Sequence, residues 1–362
     1  MPLEQSSIEG LPAAQINGFI PIMWKNVYFC VMDTEKKLYP MRFCTLEDKY
    51  IWGKEEFRLA DLGYRDSLVH DGWLAGNSLS EVMDMYMDRV TGENTFEYWG
   101  RQFPVTVKHI TVNGRMPLRV HPSDSYAAER YDFLGKEKLW YVLRAGKDAR
   151  LMLGFARDTD ASQLYAACAD NSVGDILNVV EPHAGQSFFI PSGVPHAASG
   201  DMELIEVSES SPLDFCLCAW GEEVSEEEFD PALSFVDALE FTDYRKFGIK
   251  SEGAATALAD ISQFKVEKIA VRAGLKVKGE GFDSFTVYVC LSGRVCINIE
   301  VLGVTASYPI NPGEAILIPA ECTEFSVMPQ DKDSEILDVT VPVRKEEDAY
   351  INPDVPMMPE EQ

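Results

Sequence analysis

Basic side chains and long apolar runs are both scarce in this sequence. Its 362 residues include 32 Lys and Arg against 59 Asp and Glu, so the net charge is −27. Such a field repels phosphate backbones and anionic lipid surfaces, and we therefore expect neither a nucleic-acid partner nor a membrane partner. No stretch approaches the roughly 20 consecutive apolar residues of a membrane span, and the N-terminus lacks the basic start and apolar core of a secretory signal. These absences predict a cytoplasmic globular protein.

Paired cysteine motifs are missing as well. The eight cysteines include Cys216 and Cys218 in a C-x-C arrangement, but no C-x-x-C pair that could start a zinc ribbon. A disulfide framework is typical of small secreted domains, whereas this chain is long and shows no secretion signal. We therefore predict free thiols that pack as small hydrophobic groups.

Short strand-like runs separated by Gly and Asn turns make up most of the chain, which predicts a mainly β fold. Helices interrupt this pattern. Ser78, followed three residues later by Glu81, forms a capping box at the start of a helix over about 79–90. Further helices are predicted over 162–169, 173–179 and 231–239. We interpret the acidic run 226–228 before the last of these as a solvated helix start.

Two similar strand–turn units occur in the sequence. Residues 185–196 read G-x5-P-x-G-x2-H, and residues 313–324 repeat the glycine, the five-residue strand and the proline but end in Glu324 instead of His196. In the first unit the histidine follows a tight turn and is expected at the mouth of a barrel, where neutral imidazole is a good metal ligand. We interpret the two units as an internal repeat, of which one copy can bind a metal and the other is structural.

The first unit resembles the second cupin motif, and its neighbours resemble the type I mannose-6-phosphate isomerases in the family's order. These segments are 39–41 (YPM), 51–53 (IWG), 74–79 (LAGNSL), 118–122 (LRVHP), 135–141 (GKEKLWY) and 204–211 (LIEVSESS). The resemblance covers about 39–340 and implies two cupin jelly-roll barrels with inserted helices. It also implies interconversion of mannose 6-phosphate and fructose 6-phosphate through a cis-enediol, with a zinc ion and a general acid–base.

The resemblance divides the chain into five parts. Residues 1–38 form an N-terminal extension, which includes a predicted strand at 26–32, and 39–225 form a first cupin domain with helical insertions and the candidate active site. A helical connection at 226–250 leads to a second, degenerate cupin domain at 251–345. Residues 346–362 form an extended tail.

Two of the four metal ligands that the resemblance implies are present. His121 and His196 fall on the family's two histidine ligands, whereas Arg119 replaces its glutamine ligand and Lys138 replaces its glutamate ligand. The family's catalytic arginine is Cys216 here. The resemblance thus implies zinc, and these replacements oppose it.

Lys136 and Glu206 match family residues that contact the substrate and lie near the proton-transfer site, so we assign them the catalytic roles. Arg119, Lys136 and Lys138 form a predicted basic cluster for an anionic ligand, and the implied ligand is a sugar phosphate. Glu137 is expected on the opposite face, because successive side chains of a strand alternate.

Lys138 leads to a hypothesis about the missing metal. A lysine about 4 Å from a dication would repel it by ~8 kcal/mol at an effective dielectric constant of about 20. Lys138 paired with Glu206 or Glu209 would instead replace part of the metal's charge. The sequence then leaves two functions open: a sugar-phosphate isomerase with altered metal use or substrate, and a non-catalytic cupin that binds a sugar or sugar phosphate. A metal-dependent oxygenase is disfavoured, because such sites need three protein ligands around iron and only two are found.

Overall fold

The computed structural model describes residues 36–222, 228–249, 251–252, 256–279, 284–301 and 304–342. The chain divides into two units after Leu38, and the described residues from Tyr39 onward all belong to the second. The strand predicted at 26–32 and the tail predicted at 346–362 lie outside the described residues.

Antiparallel strands in two sheets form what we term the first barrel. The strands are β1 (Leu46–Tyr50), β2 (Gly53–Leu59), β3 (Val105–Val112), β4 (Leu118–Val120), β5 (Lys138–Ala145), β6 (Arg150–Phe155), β7 (Leu177–Val180), β8 (Ser187–Ile190), β9 (His196–Ser199), β10 (Met202–Glu209), β11 (Phe215–Cys218) and β12 (Ser251–Glu252). One sheet has the order β1-β2-β3-β10-β5-β8-β12 and the other β11-β4-β9-β6-β7. Buried Trp140 and Phe188 of the first sheet share one apolar core with Leu151 and Ala198 of the second.

Two further sheets form the second barrel. Its strands are β13 (Ala257–Asp260), β14 (Lys265–Ala270), β15 (Leu275–Lys278), β16 (Thr286–Ser292), β17 (Val295–Val301), β18 (Val304–Ile310), β19 (Ala315–Ile318), β20 (Glu324–Pro329) and β21 (Glu335–Thr340). The sheet orders are β13-β14-β21-β16-β19 and β15-β20-β17-β18. Tyr288 and Ile336 of one sheet pack with Ile297 and Val327 of the other. The predicted mainly β fold with two cupin-type barrels is confirmed.

The helices are inserted between strands. They are α1 (Leu79–Tyr86), α2 (Asp88–Thr91), α3 (Glu93–Trp99), α4 (Asp124–Tyr131), α5 (Ala161–Ala169) and α6 (Phe235–Phe241). The predicted capping box is confirmed: Ser78 Oγ accepts from the backbone N–H of Glu81, and the Glu81 carboxylate accepts from the N–H of Ser78. Helix α1 ends earlier than predicted because Met87 adopts a φ of 47°. Within the described residues, no helix is long and apolar enough to cross a membrane.

The helix predicted over 173–179 was wrong. One turn of 3-10 helix at Val173–Asp175 is followed by β7, which pairs with β6. The amide of Asn178 donates to the backbone carbonyls of Leu153 and Phe155, and this tertiary pairing outweighs the apolar spacing that suggested a helix.

The two repeat units occupy matching places in the two barrels. β8 follows Gly185 and pairs with β5, while β19 follows Gly313 and pairs with β16. The two glycines have φ values of 90° and 81°, a region that residues with a Cβ rarely adopt. The turn and strand of the repeat are therefore shared by both barrels, whereas Gly193 and His196 of the first unit are replaced by Glu321 and Glu324 in the second.

Candidate functional site

Polar side chains from neighbouring strands face the interior of the first barrel. In β2 the buried positions alternate, so Glu55 is buried in the same phase as Phe57. Lys108 of β3 and Trp140 of β5 lie directly opposite Glu206 of β10, one on each side. Directly opposed residues point to the same face of a sheet, so the pleat collects these groups on one side.

Glu206 is the centre of a buried ion-pair network. Its Oε2 accepts hydrogen bonds from Nζ of Lys138 at 3.1 Å and from Nε1 of Trp140 at 2.7 Å. Its Oε1 lies 3.9 Å from Nζ of Lys108. Burial alone would raise the pKa of Glu206, but the charges of Lys138 and Lys108 lower it to about 2. The carboxylate is therefore ionised at neutral pH.

Arg119 is held between two carboxylates. Its Nη1 donates to Oε1 of Glu55 at 2.9 Å, and its Nη2 donates to Oε1 of Glu228 at 2.9 Å. The other Glu55 oxygen accepts from Nζ of Lys108 at 2.8 Å, and Glu228 also accepts from Nε1 of Trp52 at 2.7 Å. These contacts link β2, β3 and β4 through charge-assisted hydrogen bonds.

Asp214 connects Lys136 to the histidines. Its Oδ1 lies 3.3 Å from Nζ of Lys136 and 3.1 Å from Nδ1 of His121. Burial lowers the pKa of Lys136 to about 8, although the charge of Asp214 acts in the opposite direction. Burial alone would raise the pKa of Asp214, but Lys136 holds it well below its usual range. Lys136 can therefore exchange a proton near neutral pH.

His121 and His196 lie side by side, with ring centroids 4.9 Å apart. The Nδ1 atoms lie 2.9 Å from the carbonyl oxygens of Leu213 and Val194, respectively, so we assign the proton to each Nδ1. Each Nε2 is buried without a hydrogen-bond partner in the described part of the chain. Burial and the charge of Lys138 lower the pKa of His196 to about 3 and that of His121 well below its ordinary value. Both rings are neutral at physiological pH.

Zinc binds imidazole nitrogens that carry a free lone pair, as these two Nε2 atoms do. Whether a metal fits therefore depends on the two positions that the resemblance assigns to the other ligands. Arg119 and Lys138 stand there, and a guanidinium or an ammonium offers N–H donors but no lone pair. Among the described residues, no group of three His, Cys, Asp or Glu side chains is arranged to hold a metal ion. The side chains present therefore do not fit the zinc ion that the family resemblance implies.

The structure brings the predicted site residues into one network. The set buried in the first barrel is Arg119, His121, Lys136, Lys138, His196 and Glu206. The carboxylate that pairs with Lys138 is Glu206. Glu137 points elsewhere, as alternation predicts, because its carboxylate accepts from the hydroxyl and the backbone N–H of Ser192.

Cys216, at the position of the family's arginine, lies on β11 directly opposite Arg119 of β4. Burial raises the pKa of its thiol to about 12, although the charge of Arg119 acts in the opposite direction. The thiol is therefore protonated at neutral pH and adds no charge to the network.

The interpretation of Glu228 as part of a solvated helix start was wrong. Its side chain is only 6% exposed and is held by Trp52 and Arg119, and the next helix begins at Phe235. A buried carboxylate is tolerated here because the guanidinium supplies its counter-charge. The rest of that acidic run, 226–227, lies outside the described residues.

Three members of the network were missed by sequence reasoning: Glu55, Lys108 and Asp214. For the first two a signal exists. Lys108 lies in a part of β3, 105–108, that is buried at every position, and Glu55 shares the buried phase of β2 with Phe57. A charged residue at a buried strand position indicates an internal ion pair. Asp214 lies in the connection from β10 to β11, where no periodic pattern marks it.

A cavity of about 340 Å³ opens beside this network. The described residues that line it are Tyr50, Glu55, Tyr64, Arg119, Pro212, Asp214, Glu228, Asp230 and Pro231. The cavity is thus in contact with the Arg119 and Asp214 ends of the network. Lys138, Glu206 and the two histidines are not among the described residues that line it.

Known proteins resemble this chain in both sequence and fold. No family model matches it. It is 24% identical over 271 residues to the "Probable mannose-6-phosphate isomerase GmuF" of Bacillus subtilis, covering 72% of this chain and 82% of the relative. It is 26% identical over 197 residues to the mannose-6-phosphate isomerase ManA of Bacillus subtilis, covering 49% of this chain and 60% of the relative.

Among solved structures, the mannose 6-phosphate isomerase from Bacillus subtilis superposes with a TM-score of 0.70 at 18% identity, covering 83% of this chain and 99% of that one. The two barrels of antiparallel strands define a fold of the cupin class. Within that class, this chain is similar in sequence and in fold to mannose-6-phosphate isomerases.

Proposed function

We propose that this chain is a member of the mannose-6-phosphate isomerase family that binds a sugar or sugar phosphate in its first barrel without zinc. The observation that carries the proposal is the ion pair between Lys138 and Glu206, at 3.1 Å. It puts an ammonium at the position that the family resemblance assigns to a carboxylate ligand, and an ammonium repels a metal ion instead of binding it.

The cavity suits a sugar. Tyr50 and Tyr64 line it with aromatic rings, and Asp214 and Glu228 line it with carboxylates that can accept from hydroxyl groups. A few converging polar groups among flat apolar surfaces are typical of small-molecule sites. The ligand would lie beside Arg119 and Asp214.

An active isomerase is the second candidate, and Lys136 is the observation that favours it. A pKa of about 8 suits a general acid–base at neutral pH. Its Nζ lies 3.3 Å from Asp214, which lines the cavity. In that case Lys136 would carry the proton between C1 and C2 of the bound sugar, and the ionised Asp214 would position its ammonium.

The test has three measurements on the purified protein: metal content, calorimetric binding of mannose and mannose 6-phosphate, and a coupled assay for fructose 6-phosphate with and without added zinc. We expect no stoichiometric metal, binding of at least one of the two ligands, and no zinc-dependent turnover. Near-stoichiometric zinc together with turnover contradicts the metal-free proposal. Zinc-independent turnover that Lys136→Met abolishes establishes the second candidate.

A matched pair of variants locates the binding site. Tyr64 lines the cavity with half of its side chain exposed, whereas the exposed Tyr165 of α5 does not line it. Tyr64→Ala should weaken sugar binding at least about five-fold through lost ring contact, and Tyr165→Ala should leave it unchanged. Equal affinities of the two variants would move the site away from this cavity.

A further inference from the structure

The ion-pair network of the first barrel is balanced in charge. Each of its four cations lies within 3.3 Å of a carboxylate oxygen, and these cations are Lys108, Arg119, Lys136 and Lys138. Their partners are equal in number: Glu55, Glu206, Asp214 and Glu228. The positive charge that the sequence suggested for an anionic ligand is therefore already paired inside the protein.

The wall of the cavity is acidic. Of its described lining residues, Glu55, Asp214, Glu228 and Asp230 are carboxylates, and Arg119 is the one cation. Arg119 is shared between two of those carboxylates. Lys108, Arg119 and Lys136 balance three of these carboxylates, and Asp230 adds one further negative charge. A phosphate dianion would therefore meet no unpaired cation among the described lining residues, in a protein whose net charge is −27.

The wall offers acceptors for hydroxyl groups instead. Arg119 is 5% exposed, and its two terminal nitrogens already donate to Glu55 and Glu228. A carboxylate oxygen has two lone pairs, so a carboxylate that is paired with a cation can still accept a hydrogen bond from a sugar hydroxyl.

We infer that the cavity takes an unphosphorylated sugar, a neutral aldose or ketose, in preference to a sugar phosphate. This inference rests on the proposed function, because it names the substrate class of that same site. The four carboxylates of the wall accept hydrogen bonds from the hydroxyl groups of such a sugar.

The experiment is calorimetry of the full chain at about 0.15 M salt, with mannose and fructose compared against their 6-phosphates. We expect a dissociation constant at least about ten-fold lower for a neutral sugar than for its phosphate. Tighter binding of the phosphates overturns this inference and leaves the proposed function standing. Folded protein that binds none of the four overturns the proposed function itself.

A charge reversal at the cavity tests the cause of the preference. Asp230 is exposed and lines the cavity, whereas Glu97 is exposed on α3 and does not. Asp230→Lys should lower the preference for the neutral sugar at least about three-fold, because it places a cation on the wall. Glu97→Lys makes the same change in net charge and should leave the ratio unaltered. Equal ratios in both variants would show that the wall charge does not set the preference.

Discussion

Lys138 and Glu206 form a buried ion pair across β5 and β10, with Nζ 3.1 Å from Oε2. Lys138 is paired in the ladder with Ser208, so its side chain reaches diagonally to the residue two positions away. Each side chain is at most 4% exposed, and a charge at that depth depends on its partner. We propose that this pair replaces part of the charge that a metal ion would supply.

Removing one member of this ion pair should lower the stability of the folded protein. Lys138→Met leaves Glu206 with Lys108 at 3.9 Å as its nearest remaining ammonium partner, and we expect a loss of about 3–5 kcal/mol in the free energy of unfolding. The double variant Lys138→Met with Glu206→Gln removes both charges and should lose clearly less. Urea denaturation of the single and double variants measures the coupling. Additive losses would mean that the two side chains do not interact.

The two carboxylates that bind Arg119 should contribute unequally to the free energy of unfolding. Glu55 neutralises both Lys108 and Arg119, whereas Glu228 pairs with Arg119 and accepts from Trp52. Glu55→Gln should therefore cost about 2–4 kcal/mol, and Glu228→Gln, which keeps an acceptor for the indole, about 1 kcal/mol. Urea denaturation under identical conditions compares them. A larger loss for Glu228→Gln would contradict this ranking.

The fold could be predicted because its signals are local. Alternating strands, the capping box at Ser78 and the unit 185–196 each lie within a dozen residues, and each has a physical cause in turn or strand geometry. The helix wrongly predicted at 173–179 shows where local sequence signals are insufficient. There the spacing of apolar residues fitted a helix, but the segment forms a strand that is stabilised by hydrogen bonds from the Asn178 side chain to carbonyls distant in the sequence.

The site could be predicted in part. His121, His196, Lys136, Lys138, Arg119 and Glu206 were named from motif positions, and all six are buried in one network. Their pairing could not be derived, because Glu55 and Lys108 are 53 residues apart in the chain and Lys138 and Glu206 are 68 apart. A single sequence shows which residues are charged but not which strands are neighbours, so a neutralised network looked like a basic cluster.

Asp338 in the second barrel should make stability depend on pH. Its Oδ1 is buried without a hydrogen-bond partner among the described residues, and Glu267 lies opposite it on β14. Burial, together with the charge of Glu267, raises its pKa from 3.8 to about 7.

The folded state therefore binds a proton more tightly than the unfolded chain, and the stabilisation is present below about pH 4 and lost as pH rises to 7. Asp338→Asn does not titrate. The free energy of unfolding of the wild type minus that of the variant should fall by about 2 kcal/mol between about pH 4 and pH 8. The full pKa shift would correspond to ~4 kcal/mol, but Asp338 is partly exposed and solvent screening reduces the effect. Urea titrations across this range test the sign, and a rising difference would contradict it.

Restoring the family's ligand set should create a zinc site. In the double variant Arg119→Gln with Lys138→Glu, the two buried Nε2 atoms of His121 and His196 gain an amide oxygen and a carboxylate beside them. Without metal this variant should be less stable than wild type, because Glu206 loses its partner Lys138 and Glu55 loses Arg119.

Zinc should then reverse that loss, since a ligand that binds only the folded state stabilises it in proportion to the logarithm of its concentration. We expect about one zinc per chain in the double variant by elemental analysis, and a melting temperature that rises with added zinc and falls with a chelator. The wild type and the single variant Lys138→Met should show neither effect. A wild type that takes up stoichiometric zinc would mean that Lys138 does not exclude the metal, and a double variant that takes up none would mean that these four positions do not converge on one point.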